Sequence, residues 1–326
     1  MKISVIIPTH NSEATIVECV NSVISQTLKP NEIIIVDSSD NKKTLELVDK
    51  KFKDISAIKI VKSSKANTAF QCSLGIENAT SDWVCFVDSD DVVSDKYLSK
   101  FCELETRFKT DVVMTGTSKF NSGSDPFQFY KESSKNLLIL KNTKMISLRK
   151  NIYSTLKTYS RCGKLIKRDC LIKNLDVYKK TNCNYWEDVV FSYLLFNNAA
   201  SVLVNKSVTY FYRNNGKSVS KSSRDADKYI KDGVSYIDSV KNIPNIPITN
   251  EMYFPAALTI MDCLKTKSAG DYNVFKSFIL QNNESINEIF SFTKASFFHK
   301  KNLIFYFLIK LHLLHPLYWV LSKRNK

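Results

Sequence analysis

The chain has 326 residues, long enough for one large domain with an annex or for two modest domains, and its apolar and charged fractions are those of an ordinary globular protein. Lys and Arg total 47 against 32 Asp and Glu, a formal charge of +15, which points to an anionic partner: a phosphorylated ligand, an anionic membrane face or nucleic acid. Only seven Gly and seven Pro exclude collagen-like and low-complexity chains, and eight scattered Cys without a CxxC exclude a zinc ribbon or a disulfide framework. Four His, three of them (His299, His312, His315) in the tail, leave only His10 for a Ser-His-Asp or Cys-His enzyme, which disfavours that class. No apolar run at the start is long enough for a signal peptide, so a cytoplasmic location is expected.

In chain order, Ile3–Ile7 is a continuous β-branched run, the pattern of a strand buried on both faces. Asn11 or Ser12 is placed to cap a helix whose apolar residues recur from Ile16 to Leu28, with Pro30 beyond its end. Strands follow at Ile33–Val36 and Ala57–Val61, flanking a helix around Leu45–Val48. A helix over Thr68–Ala79, a fourth strand at Trp83–Val87, a helix near Asp95–Phe108 and a strand at Val112–Thr115 complete the alternation. Such alternation predicts an α/β fold with a mostly parallel sheet and helices on both faces. Ligands of such sheets bind beyond the carboxyl ends of the strands, so the acidic turns at Asp37–Asp40 and Asp88–Asp91 fall on the binding edge.

Residues 118–142 read as a loop-rich connection, Met145–Lys157 as a helix and Gly163–Arg168 as a short basic stretch. Trp186-Glu187-Asp188 opens an apolar helix through Phe196, Val202–Tyr212 is extended, and Ser218–Lys228 is a polar loop. Beyond Tyr229 the pattern is helical, with a break at Pro244–Pro247 marking a candidate boundary of a small helical unit. The expected division is a catalytic domain over 1–225 and a C-terminal helical region with a basic aromatic tail over 226–326.

Asp88-Ser89-Asp90 is the strongest chemical signal. Two carboxylates one residue apart can share a hard cation, and Mg²⁺ or Mn²⁺ typically joins one or two carboxylates to diphosphate oxygens. A lone acidic turn is more often only solvated; its place after a buried strand raises the functional reading. Asp37 can accept from a base or a ribose hydroxyl, and Thr9, His10 and Asn11 follow the first strand on the same edge. Glu187 and Asp188 suit a helix N-terminus by electrostatics alone, yet a carboxylate there can also take the proton from a sugar hydroxyl. Lys164, Lys167, Arg168 and Arg213 are candidate phosphate or acceptor contacts. Neither GxGxxG nor GxxxxGK[ST] occurs, which disfavours dinucleotide dehydrogenases and P-loop enzymes.

In order, Ser4-Val5-Ile6-Ile7-Pro8-Thr9-His10-Asn11, Ser22-Val23-Ile24-Ser25-Gln26-Thr27, Glu32-Ile33-Ile34-Ile35-Val36-Asp37, Val87-Asp88-Ser89-Asp90-Asp91, Gly163-Lys164-Leu165, Trp186-Glu187-Asp188, and Tyr210-Phe211-Tyr212-Arg213 with Ser218-Val219-Ser220 resemble the motifs of glycosyltransferase family 2. The resemblance is dense over residues 2–91 and sparser from 160 to 220. It implies a GT-A fold and transfer of a sugar, with inversion, from a nucleotide-sugar donor (a UDP-sugar) to a glycan or lipid-linked glycan. It further implies Mn²⁺ or Mg²⁺ on Asp90 and Asp88, Asp188 as general base beside Glu187, and donor contacts from Pro8, Thr9, His10, Asp37, Asp88, Ser89, Lys164 and Arg213. The chain departs from the family where Ser38 replaces a second acid and where Gln71-Cys72-Ser73-Leu74-Gly75 stands in place of A-R-N-x-G. The alternative readings are a basic nucleic-acid-binding protein, although no nucleic-acid module is present and no nucleic-acid partner is expected, and a nucleotidyltransferase making nucleotide-sugars. The tail, residues 294–326, mixes seven Lys/Arg with aromatic residues and no acid, which suits peripheral contact with the inner face of a membrane; Pro316 is expected to break it in two.

Overall fold

The computed structural model describes the chain except for residues 134–136, 151, 153–155, 157–158, 184, 215–225, 246–248, 268–271, 293–305, 311–312 and 325–326. Strand β1 (Ile3–Thr9) is buried at all seven positions, and β2 (Glu32–Asp37) at five of six. Burial of both alternating sets of side chains requires cover on both faces of the sheet. Helices α1 (Ile16–Ile24), α2 (Lys43–Phe52) and α3 (Thr68–Asn78) alternate with β3 (Ile58–Lys62) and β4 (Trp83–Phe86). A Cβ at Gly75 would lie 2.4 Å from Ile6 Cγ2, so the absent side chain is what lets α3 approach β1 this closely. Asn67 caps α3 by accepting from the Phe70 N–H at 2.8 Å. Helix α1 starts later than the sequence suggests: Asn11 takes φ +48° and the Ser12 carbonyl accepts from Thr15 and Ile16, so neither side chain caps it.

After the acidic turn come β5 (Val92–Val93), α4 (Tyr97–Phe108) and β6 (Val112–Phe120), the last extending five residues past its expected end. The stretch expected to be loop contains a short 3₁₀ turn at Pro126–Phe129 and β7 (Leu138–Lys141), followed by α5 (Thr143–Lys150). Then follow β8 (Lys164–Lys167), α6 (Asp169–Ile172), α7 (Leu175–Lys179), α8 (Glu187–Asn198) and β9 (Ser201–Arg213). Among the described residues the strand order is β3-β2-β1-β4-β8-β6-β9-β5, with β7 on β9.

Most strands share one direction, as expected: the sheet is parallel from β3 to β4, and beyond it β6 and β9 keep that direction while β8 runs antiparallel to both β4 and β6. The basic stretch at 164–167 is therefore an interior strand, with Lys164 buried. Gly163 turns the chain into it at φ +69°, a left-handed conformation that favours glycine. Because β8 opposes β4 with Cys85 against Leu165, residues just before β8 arrive where β4 ends, beside Asp88.

The segment Ser22–Gln26 ties α1 to the chain that follows the acidic turn. Gln26 Nε2 donates to Ser94 O, Leu98 N–H donates to Gln26 Oε1 at 2.9 Å, and Val93 N–H donates to Ser22 Oγ at 3.2 Å. At the other end of the sheet, Glu32 accepts from Ser4 Oγ at 2.6 Å, Thr80 N–H at 2.6 Å and Thr80 Oγ1 at 2.8 Å. Burial works to raise its pKa, but the hydrogen bonds from Ser4 and Thr80 hold it below the ordinary glutamate range. A depressed folded value stabilises above the unfolded pKa and is lost as pH falls through the folded one. Glu32→Gln is therefore expected to melt below the native protein at neutral pH, with the gap closing in parallel thermal melts as pH falls through and below the ordinary glutamate range.

The C-terminal helices are α9 (Ala226–Lys241), α10 (Asn250–Lys267), α11 (Tyr272–Gln281), α12 (Asn283–Phe292) and α13 (Leu314–Arg324). Helix α9 packs on both α8 and α10, and the interval between α9 and α10 holds the expected proline-marked break. Within the described part of the tail, Tyr306, Ile309, Leu317 and Leu321 are buried, and Tyr318 packs on Tyr272 and Phe275. Pro316 lies in the first turn of α13, where a missing N–H is tolerated; residues 306–310 are helical and Leu313 is not, so the described tail is divided just before this proline, as expected. Among the described residues no helix is long and apolar enough to cross a membrane. Residues 218–225 of the expected polar loop, the Ser218-Val219-Ser220 motif and all of residues 294–305 lie outside the described residues, while 226–228, expected in that loop, open α9.

Candidate active site

The register of the parallel strands sets Thr9 beside Asp37. Pro8 and Thr9 are buried in β1, so they shape this edge through backbone, while His10 is exposed just beyond it. His10 Nδ1 lies 2.8 Å from Ser38 O, Asn11 Nδ2 donates to Asp40 Oδ2 at 2.9 Å, and Asp40 N–H donates to Asn11 Oδ1 at 3.2 Å. The loops after β1 and β2 are thereby interlocked. Asp37 accepts from Ser39 Oγ at 2.6 Å. Beneath them, buried Gln71 donates from Nε2 to Thr9 O and Val36 O, each at 2.8 Å, fastening the ends of the two strands together. The departure from the A-R-N pattern thus puts a clamp at this edge.

The acidic turn is pinned from several sides. Asp91 N–H donates to Asp88 O at 2.9 Å, and Asp88 N–H donates to Tyr210 Oη at 3.1 Å. Tyr210 Oη in turn donates to Asp91 Oδ2 at 2.6 Å, and Arg213 N–H donates to Asp91 Oδ1 at 2.8 Å. The hydroxyls of Ser89 and Ser12, 2.8 Å apart, link the turn to the loop after β1. Arg213, expected as a free phosphate contact, is buried: it donates from Nε to Asp90 O at 2.7 Å and from Nη2 to Glu18 Oε2 at 2.5 Å, with its guanidinium over Phe120. Burial, then the negative charges of Asp88 and Asp90, push the Asp91 pKa up to about 8.

That crowding is what a cation would relieve. The donor set is carboxylate oxygen alone, which suits Mg²⁺ or Mn²⁺, and a turn offering two acids leaves the remaining positions to phosphate oxygens and water. Asp88 and Asp90 therefore fit the expected ion. Among the described residues no group of three or more His, Cys, Asp or Glu forms a complete protein cage.

Facing the turn, helix α8 opens with Glu187 and Asp188. Arg161 joins the two sides. Its Nη2 donates to Asp88 Oδ1 at 2.5 Å, and its Nη1 donates to Asp188 Oδ1 at 2.7 Å and to Glu187 Oε1. Tyr178 Oη donates to the other Glu187 oxygen at 2.7 Å. Glu187 is thus buried with both oxygens engaged, and burial pushes its pKa up against the pull of Arg161. Asp188 keeps a side chain 40% exposed. Lys164, expected on a phosphate, is instead buried beneath this cluster: Nζ donates to Ser160 O, and burial lowers its pKa to about 8.

Of the sequence-predicted residues, Asp88, Glu187 and Asp188 meet on one guanidinium, and Thr9, His10, Asp37 and Ser89 adjoin them through the interlocked loops. Asp90 belongs to the same turn. Arg213 and Lys164 are withdrawn into the protein. Arg161, Tyr178 and Gln71 carry no motif signal that singles them out in so basic and aromatic a chain.

A model of glycosyl transferase family 2 matches residues 4–175, more than half of the chain. The chain is 26% identical over 216 residues to the poly(ribitol-phosphate) beta-N-acetylglucosaminyltransferase TarS of Staphylococcus aureus, covering 65% of this chain and 35% of that protein. To the poly(ribitol-phosphate) beta-glucosyltransferase of Bacillus spizizenii it is 25% identical over 217 residues, 65% of this chain and 32% of the relative. With the cholesterol galactosyltransferase of Borreliella burgdorferi it shares 30% identity over 226 residues, 65% and 60% of the two chains. It thus matches about a third of the length of the first two relatives. The crystal structure of S. aureus TarS 1–349 in complex with UDP-GlcNAc superimposes with a TM-score of 0.63 at 18% identity, covering 100% of this chain and 91% of that one, a likeness of fold that extends through the C-terminal helices. Motif order, sheet topology and the matched family model agree, and the chain belongs to glycosyl transferase family 2, with its GT-A fold.

Proposed function

We propose that the chain transfers a sugar from a UDP-sugar to a hydroxyl of a glycan or polyol-phosphate acceptor, lipid-linked or polymeric, with inversion and with the help of Mg²⁺ or Mn²⁺. The observation that carries this reading is the single guanidinium shared by Asp88, at the carboxyl end of β4, and by Glu187 and Asp188, at the start of α8. Asp88 and the more exposed Asp188 bonded to one guanidinium support a reading in which one acid serves the donor diphosphate and the other the acceptor.

Asp37 and the Thr9–His10 loop hold the nucleoside, and Asp88 and Asp90 hold the cation. When bound, that cation supplies positive charge to the departing diphosphate. Asp188 takes the proton from the acceptor hydroxyl as its oxygen attacks C1 of the sugar. The C1–O bond to phosphate breaks on the opposite side, and its electron pair leaves with the nucleoside diphosphate. Polyanionic acceptors of the kind named for TarS would be drawn by the +15 charge of this chain.

The test is a thermal-shift panel of UDP-GlcNAc, UDP-glucose and UDP-galactose, each with and without Mn²⁺. At saturating ligand, stabilisation by RT ln(1 + [L]/Kd) is expected for at least one donor and only with the cation. Absence of any shift together with absence of UDP release would overturn the proposal.

A further inference from the structure

Three acids converge on Arg161, and their burial differs. Glu187, with its side chain 9% exposed, needs an internal counter-ion; Asp88 at 27% and Asp188 at 40% retain enough solvent to do without one. Neutralising Glu187 requires a single ion pair. The guanidinium nevertheless spreads its two terminal nitrogens so that one meets Asp88 and the other meets Glu187 and Asp188. A planar fork of this kind fixes the spacing and orientation of the groups it joins, which a flexible ammonium does not.

The chain bearing Arg161 is itself held. Cys162 N–H donates to Ser160 Oγ at 3.1 Å, Thr115 N–H donates to Gly163 O at 2.9 Å, and Ser192 Oγ of α8 donates to Tyr159 O. The side chain is 7% exposed. A rigid mount, a buried side chain and two solvated clients together describe an alignment device rather than a surface ion pair.

We infer that Arg161 is a positioning residue that sets the donor-side acid Asp88 and the acceptor-side base Asp188 at a fixed separation, and that it acts on the chemical step rather than on donor retention. This rests on the proposed sugar transfer.

The test uses Arg161→Lys and the doubly altered Arg161→Lys/Asp188→Asn in the full chain, with UDP release from the donor found in the thermal-shift panel as the rate and calorimetric binding of UDP with Mn²⁺ as the second readout. Arg161→Lys is expected to keep UDP affinity within about 3-fold while kcat falls by about 10²-fold, the effect of a misplacement on the ångström scale. In the Asp188→Asn background the same change should cost little further, because the group it aligns is already gone. A purely structural role would instead add its loss in both backgrounds.

If Arg161→Lys melts below the assay temperature, Arg161→Gln/Glu187→Gln removes a charge of each sign and carries the same expectation for kcat and UDP affinity. A kcat near the native value in a folded variant, or weakened UDP binding with kcat unchanged, would overturn the inference alone. A native protein that releases no UDP from any donor would overturn the proposed function, and this inference with it.

Discussion

Asp188→Asn is expected to slow sugar transfer by about 10²–10⁴-fold, the usual contribution of a general base, with the chain still folded and UDP binding retained. The reasoning turns on how differently the two acids of α8 are placed. Glu187 is buried, with one oxygen taken by Arg161 and the other by Tyr178, so it has no open oxygen with which to reach an acceptor. Asp188 is held at Oδ1 by Arg161 at 2.7 Å, while its side chain remains 40% exposed. Asparagine preserves the shape and the accepting oxygen at that bond but cannot take a proton at neutral pH. Initial rates of UDP release, compared with UDP affinity from calorimetry, separate the two effects. A rate within about 3-fold of the native one would remove Asp188 from the base role.

Much of this arrangement is legible in the sequence because it follows from local pattern. Runs such as Ile3–Ile7 and Ile33–Val36 announce strands buried on both faces, and the topology of such strands places Asp37 and Asp88 on the ligand edge without any motif. What is not legible depends on long-range pairing. Arg161 reaches Asp88 only because β8 lies antiparallel beside β4, and nothing near residue 161 encodes that neighbour. Lys164 and Arg213 likewise read as surface cations, because lysine and arginine are normally solvated, yet strand pairing buries both: Lys164 in β8 beside β6, and Arg213 at the end of β9, where it meets Asp90 O and Glu18. Gln71 is similar, since a glutamine in a helix carries no mark of the two carbonyls it clamps. In the tail, the basic and aromatic composition is legible, but whether an aromatic face meets lipid or protein is decided by what lies opposite it. Tyr306, Leu317 and Leu321 turn inward, while Phe307 and Trp319 remain exposed.

The second large effect is expected at Asp90. Within the acidic turn, the Asp91 carboxylate is engaged by Tyr210 and the Arg213 backbone, and that of Asp88 is shared with Arg161. The Asp90 backbone carbonyl accepts from Arg213, and Asp90→Asn, which nearly keeps the shape of the side chain, retains that bond. Asp90→Asn should therefore fold, and its melting temperature without ligand should hold or rise, because one of the charges that raises the Asp91 pKa is gone. With Mn²⁺ and UDP the order should reverse. At a ligand concentration of 100 Kd the native chain gains about 2.7 kcal/mol; a tenfold weaker site gains only about 1.4 kcal/mol, a difference readable in parallel melts. Transfer should fall by at least about 10²-fold, since a cation's charge stabilisation amounts to several kcal/mol. Full Mn²⁺-dependent stabilisation by UDP in Asp90→Asn would place the cation on other residues. The opposite signs with and without ligand are what distinguish a lost ligand from a damaged fold, because damage would lower both melting temperatures together.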